Sequence, residues 1–173
     1  MRALSGLLLI ITLPTATSVA AQWTNSVSKD EMTNEQVVVA MSPHATSSRP
    51  MELPYSDTEA WVGFMCDGKN EWVYIDFSNT PNIVNSEPTE GFSHFSTRVR
   101  WGTEVKTVQL SQKWGASAIS FLDGRDALKR LTNRSADSLL LELDWYGNGV
   151  VYFQFSLVGA ADAIANARAS CKK

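Results

Sequence analysis

The sequence predicts a β-dominated α+β domain: one antiparallel sheet, or a sandwich-like pair of layers, with two short helices and the last helix disulfide-linked to a strand. Three observations carry this expectation. Apolar and polar residues alternate with a period of two through much of residues 36–157, the pattern of half-buried strands. Clusters of Gly, Asn, Asp, Ser and Pro separate these runs at turn spacing. Two cysteines follow the first 21 residues, Cys66 at the end of a strand-like run and Cys171 at the end of a helix-like one.

The first element is a leader. Met1 and Arg2 give a positive start, Ala3 to Leu13 is apolar, and Pro14 breaks the run before small residues follow, as in a secretory signal. Cleavage after Ala21 sets Val19 and Ala21 at the two positions that need compact residues and leaves Gln22 first; cleavage after Ala20 is the neighbouring alternative. A retained anchor would need about 20 apolar residues, and Pro14 and Thr15 interrupt this run. Residues 22–173 then form a single exported domain, periplasmic or secreted, with no membrane insertion after signal removal. They hold 14 Lys and Arg against 18 Asp and Glu. That acidic balance, with no basic stripe, argues against nucleic acid as a partner. No polybasic amphipathic helix marks an anionic membrane surface either.

Strands are expected at Gln36 to Met41, Ala60 to Cys66, Glu71 to Phe77, Ser96 to Trp101, Lys106 to Leu110, Ser117 to Leu122, Leu139 to Trp145 and Val151 to Leu157. A four-residue loop, Asp67 to Asn70, pairs Phe64 with Val73, Val62 with Ile75 and Ala60 with Phe77 on one face. On the other face Met65 meets Trp72, Gly63 lies under Tyr74, and Trp61 meets Asp76. For the last hairpin a two-residue turn at Asn148 and Gly149 would put the apolar sets on opposite sides. A five-residue loop, Tyr146 to Val150, pairs Leu143 with Phe153, Leu141 with Phe155 and Leu139 with Leu157. One helix is expected from Asp123, its N-cap, to Leu131, with Ala127, Leu128 and Leu131 as its apolar stripe. A second, from Gly159 to Cys171, places Ala160, Ile164, Ala167 and Cys171 on one face. Ser42 to Thr58 and Asn79 to Gly91 read as long surface loops.

In an exported chain two cysteines are most economically one disulfide, so Cys66 and Cys171 are expected to pair. The sequence lacks the C-x-x-C of a redox pair. Two cysteines and two distant histidines, His44 and His94, do not make a zinc site, and no metal or cofactor is expected. Asp30, Glu31 and Glu35 surround Thr33 and Asn34 without the spacing of a calcium loop. No catalytic residue is assigned: neither histidine has a nucleophile signature beside it, and Asp76, beside Trp61, reads as a solvated acid at a strand end. Asn133, Arg134 and Ser135 form a glycosylation sequon, relevant only on a eukaryotic secretory route.

Candidate partner-binding residues are Trp61, Met65, Trp72 and Tyr74, which share one face of the first hairpin. Either another layer covers them, as a two-layer domain would have it, or they form a recognition patch rich in hot-spot residue types. Arg98 and Arg100 share a strand face and together suit an anionic ligand, or else solvate the outside of a half-buried strand.

The layout resembles the VasI/TagO-like family of exported proteins associated with bacterial type VI secretion. The shared pattern is an early Trp before a polar and acidic stretch and a strand, WTNSVSKDEMTNEQVVVAM; a strand ending in Cys, a turn and an aromatic strand, VGFMCDGKNEWVYIDF; an Arg-bearing strand, FSTRVRW; and VVYFQFSLVGAADAIANARASC, a Phe-containing strand running into a small-residue helix that ends in Cys. The resemblance spans residues 22–173. It implies a Gram-negative periplasmic accessory protein with a β-rich domain, one disulfide and no known catalytic residues. The expected function is a non-enzymatic binding or accessory role in the cell envelope, with an envelope or secretion-apparatus protein as partner. Two rivals stand beside it. A hydrolase of the envelope would need a concave pocket holding a perturbed carboxylate, or His94, beside a nucleophile. An inhibitor of a hydrolase such as a lysozyme would need a protruding loop, such as Asn79 to Gly91. N-terminal sequencing of the exported protein is expected to read from Gln22; a first residue of Met1 would overturn the leader.

Overall fold

The computed structural model describes residues 22–29 and 31–171. The expected leader, Asp30, Lys172 and Lys173 lie outside the described residues. Eleven strands form one antiparallel sheet: β1 Thr24–Lys29, β2 Gln36–Met41, β3 Ala45–Thr46, β4 Glu59–Cys66, β5 Glu71–Phe77, β6 Glu87–Thr89, β7 Phe92–Trp101, β8 Glu104–Lys113, β9 Ile119–Phe121, β10 Ser138–Trp145 and β11 Gly149–Ser156. Among the described residues two helices accompany the sheet, α1 Gly124–Leu131 and α2 Ala160–Cys171. Neither is long and apolar enough to cross a membrane.

Across the sheet the strands run β1, β2, β4, β5, β9, β8, β7, β10, β11, with β3 also on β4 and β6 also on β7. β2 and β3 are two halves of one bent strand on the same edge of β4. At the bend Ser42 keeps the ladder intact: its N–H donates to the Val62 carbonyl and its hydroxyl accepts the Val62 N–H, both at 2.9 Å. The far edge of the bent strand is shared. Its first half pairs with β1. Beyond its second half, Ser47 bridges Phe153 of β11 and the Ser48 N–H donates to the Tyr152 carbonyl at 2.8 Å. Where β11 ends and β1 begins, the Trp23 indole N–H reaches the Ser156 carbonyl at 2.9 Å. The sheet therefore curls back on itself into a nearly closed ring.

The inward face supplies the core: Phe64, Ile75, Phe77, Leu110, Ile119, Leu141, Trp145, Phe153 and Phe155 are among the residues removed from water. Both helices pack on this inner side. α2 buries Ala160, Ala163, Ile164 and Ala167, and the Asn25 and Gln36 amides donate to its Ala163 and Ser170 carbonyls at 2.8 and 3.0 Å. α1 starts where the Asp123 carboxylate accepts the Asp126 N–H at 3.0 Å, and it buries Ala127 and Leu131. Arg130 of α1 lies over the Trp101 ring, and Arg168 of α2 over Phe64.

All three core pairs and all three outer pairs expected for the β4–β5 hairpin are found. The last hairpin differs. Leu143 pairs with Val151, Leu141 with Phe153 and Leu139 with Phe155, two residues away from the five-residue-loop register. A shift of two leaves every side chain on its expected face, so the hydrophobic pattern cannot tell the two registers apart. The turn does: Gly147 and Gly149 take φ of 75° and 64°, allowing a three-residue loop. Arg49 clamps that loop by donating to the carbonyls of Asn148 and Val150.

The two segments expected as surface loops are also partly structural. Residues 42–58 contribute β3, the buried Met51 and Tyr55, whose ring meets Trp145 edge-on at 5.1 Å. Residues 79–91 contribute β6 and the buried Ile83, which bridges Trp145 on the edge of β10. An open end of the ring exposes apolar rings, and these segments are the chain that covers them. β1 was not expected as a strand, because in TNSVSK only Val27 is apolar.

The disulfide joins Cys66, at the end of β4, to Cys171, at the end of α2, with Cα atoms 6.3 Å apart. Gly68, in the β4–β5 turn, donates its N–H to the Cys171 sulfur at 3.0 Å. The bridge spans 105 residues, and for a loop near that length the chain-entropy argument gives about 4.7 kcal/mol. Replacing both cysteines by Ala is expected to cost about 2–5 kcal/mol, read as a lower denaturation midpoint at an unchanged slope. Two titratable thiols in the unreduced wild-type protein would overturn the pairing.

Candidate functional site

Cross-strand partners in a sheet project to the same face. On the outer face of β2, β4 and β5 this places Val39, Met65 and Trp72 in one row and Met41, Gly63 and Tyr74 in the next. Trp61 stands opposite Asp76 one step further along. Val39, Met41, Trp61, Met65 and Tyr74 are half-buried, and Trp72 is 38% exposed. Among the described residues no helix or second layer lies over these rows, since α1 and α2 occupy the inner side. Of the two readings, a covering layer or an open recognition patch, the described residues supply no covering layer. The partial burial comes from the patch itself and from one loop residue.

Two contacts flatten this surface. The Tyr74 ring lies across Gly63 so closely that a Cβ on residue 63 would come 2.2 Å from Tyr74 Cζ. Tyr74 thus takes the space that a side chain at 63 would need, and Gly63 is buried beneath it. Burial, reinforced by the nearby Asp76 carboxylate, pushes the Tyr74 phenol up to about 12. The second contact comes from the bend between β2 and β3, where the His44 ring stacks on Trp61 at 4.8 Å and its Nδ1 lies 2.8 Å from Glu59 Oε2.

Arg98 and Arg100 lie on the outer face of β7, with β9 and β8 between them and the aromatic rows, so the six candidate residues fall on two separate surfaces. Arg98 is engaged in a bidentate pair with Glu142 of β10. That pair, opposed by burial and aided by the Tyr152 hydroxyl, holds the Glu142 carboxyl below its usual range. Arg100 is exposed and makes no ion pair or hydrogen bond among the described residues. The depression that both arginines line, with Val105, Leu140, Glu142 and Tyr152, is about 160 Å³, below the roughly 300 Å³ at which small-molecule pockets begin. A two-arginine grip on an anion is therefore reduced to Arg100 acting alone.

The residues weighed for catalysis do not converge. Asp76 Oδ1 accepts the N–H of Phe77 at 3.0 Å. His94 stacks on Phe92, and its buried Nδ1 has no hydrogen-bond partner among the described residues. Neither histidine is hydrogen-bonded to a serine among the described residues. A groove of about 670 Å³ beside α1 contains Asp123 and Asp126, yet the first caps the helix and the second is bonded to Arg130 Nε at 2.7 Å. That bond holds the Asp126 carboxyl below its usual range, the opposite of an acid poised to give up a proton. Among the described residues no three His, Cys, Asp or Glu side chains gather as a metal would require.

Val39 and Met41 complete the aromatic rows and were not anticipated as site residues. Their shared parity was visible in QVVVAM, but the 17-residue segment between β2 and β4 hid which strand lies beside them. No protein-family model, curated protein or solved structure matches the chain, so the resemblance to VasI/TagO-like proteins rests on the quoted motifs.

Gly63→Ala is expected to push Tyr74 out of its place, destabilising the domain by about 1–3 kcal/mol and returning the phenol toward 10, read by tyrosinate absorbance. In the wild type the raised phenol stabilises the fold below pH 10, and this contribution is lost as pH rises from 10 to about 12, because the unfolded chain releases its proton first. An unchanged tyrosinate titration in Gly63→Ala would show that the ring does not depend on the glycine.

Proposed function

We propose that the protein is a non-enzymatic binding module of the cell envelope that meets a protein partner through the outer face of β2, β4 and β5. The observation that carries this reading is the contiguous apolar face itself: Val39, Met41, Trp61, Met65, Trp72 and Tyr74 lie in register on adjacent strands and face water. Apolar patches of this kind on soluble domains commonly mark partner sites. Trp, Tyr and Met are enriched at such interfaces. A surface flattened by Tyr74 and built on paired strands loses little conformational freedom on binding, which favours a preformed protein interface.

An exported, periplasmic location is supported by the leader-like residues 1–21 and by the disulfide, which persists in oxidising compartments. A role beside a type VI secretion apparatus is supported by the motif resemblance alone. A photo-crosslinking residue placed at position 72 in cells is expected to capture one envelope protein, while the same residue at the exposed position 114, in the turn after β8, captures none. Trp72→Ala should then weaken binding of that partner by about 30-fold, the loss of a hot spot of about 2 kcal/mol. Turnover of an envelope polymer by the purified protein, or equal capture at both positions, would overturn the proposal.

A further inference from the structure

β1 pairs with β2 on one side only, and its other edge meets no strand among the described residues. All six of its residues are exposed. Natural sheets usually protect such an edge with a proline, a bulge, an inward charge or a covering segment. The sequence TNSVSK offers none of these devices except Lys29 at its very end. A groove of about 610 Å³ runs between this edge and α2, lined by Trp23, Asn25, Asp162, Asn166 and Ser170 among others. Val27 is 58% exposed, although its cross-strand partner Val38 is fully buried on the same face.

The free edge displays unpaired backbone N–H and C=O groups in series, and another extended strand satisfies them in series. We infer that this strand is β1 of a second copy of the chain, paired antiparallel about a two-fold axis through Val27. A two-fold perpendicular to the sheet keeps inner residues inner, so only positions of the same parity can meet. Centring on Val27 sets Val27 against its twin, Asn25 against Lys29, and Ser26 against Ser28. No like charges oppose each other, the exposed valine is covered, and the serine hydroxyls can bond across the seam. Centring on Ser26 instead sets Val27 against Asn25 and forfeits the apolar contact.

A second observation favours a copy of this chain over an unrelated strand. The operation that joins the two edges also brings the two α2 helices to the same side of the joined sheet. α2 turns Ala165, Asn166 and Ala169 to solvent, short side chains that leave room for a neighbouring helix, and its one exposed acid, Asp162, is paired with Arg134. The joined sheet would carry the outer apolar faces of both copies side by side, although the inference does not depend on what those faces bind.

Sedimentation equilibrium on the purified protein from about 1 μM to about 1 mM, the range of weak self-association, is expected to reveal a dimer. Val27→Glu and Val27→Lys each put like charges face to face on the axis and should raise the dissociation constant by about tenfold or more. Because Val27 is exposed, both variants should keep the wild-type circular dichroism and melting temperature. Mixed in equal amounts, the two should associate again as a heterodimer. A wild type that stays monomeric throughout, or that pairs its edge with an added peptide and not with itself, would overturn the inference. So would a dimer indifferent to both substitutions, or variants whose association does not return on mixing.

Discussion

The fold depends on one strand being shared twice. Residues 36–47 run along β4 as a single bent element, and its opposite edge is divided between β1 and β11. Without the bend at Ser42 the strand would continue straight, β11 would have no partner on that side, and the sheet would end in two open edges. The Ser42 hydroxyl makes the bend tolerable by accepting the Val62 N–H, which a regular ladder would give to a backbone carbonyl and the bend would otherwise leave unpaired. An unpaired buried donor costs about 1–3 kcal/mol, a cost that this one side-chain oxygen removes from the bend on which ring closure depends. Closure in turn separates an inner face, which takes α1 and α2, from an outer face that no element covers among the described residues.

That separation explains why the first hairpin is apolar on both sides. Its inner set, Phe64, Val73, Ile75 and Phe77, fills the ring, while Trp61, Met65, Trp72 and Tyr74 remain outside. Burying only one face would be enough for folding, and polar residues usually occupy the other. The outer rings are instead shielded piecemeal, Tyr74 over Gly63 and His44 over Trp61. This arrangement keeps a large apolar surface presentable in water without hiding it.

Much of this was legible in the sequence wherever the pattern was local. Alternation located β2, β4, β5 and β10 to within a residue and β11 to within two, turn length set the β4–β5 register, and Asp123 announced the start of α1. What was not legible needed contacts between distant segments. TNSVSK has too little apolar content to read as a strand and becomes one only because β2 templates it. The Ser- and Pro-rich run at 42–58 looks solvated, yet it supplies Met51 and Tyr55 to close an end of the ring. Glu142, which occupies Arg98, lies 44 residues away from it, so the two-arginine reading could not be refined from its own strand. The aromatic half of the site was readable because it sits on one hairpin; Val39 and Met41 were not, because they come from the next strand over.

The position of the cysteines has a bearing on how the molecule is made. Cys66 emerges early in synthesis, and its partner comes only after every strand and both helices. A chain interrupted anywhere between them carries a lone reactive sulfur, whereas one extended through Cys171 can extinguish it. The crosslink thus closes only in a chain that carries both β4 and the whole of α2.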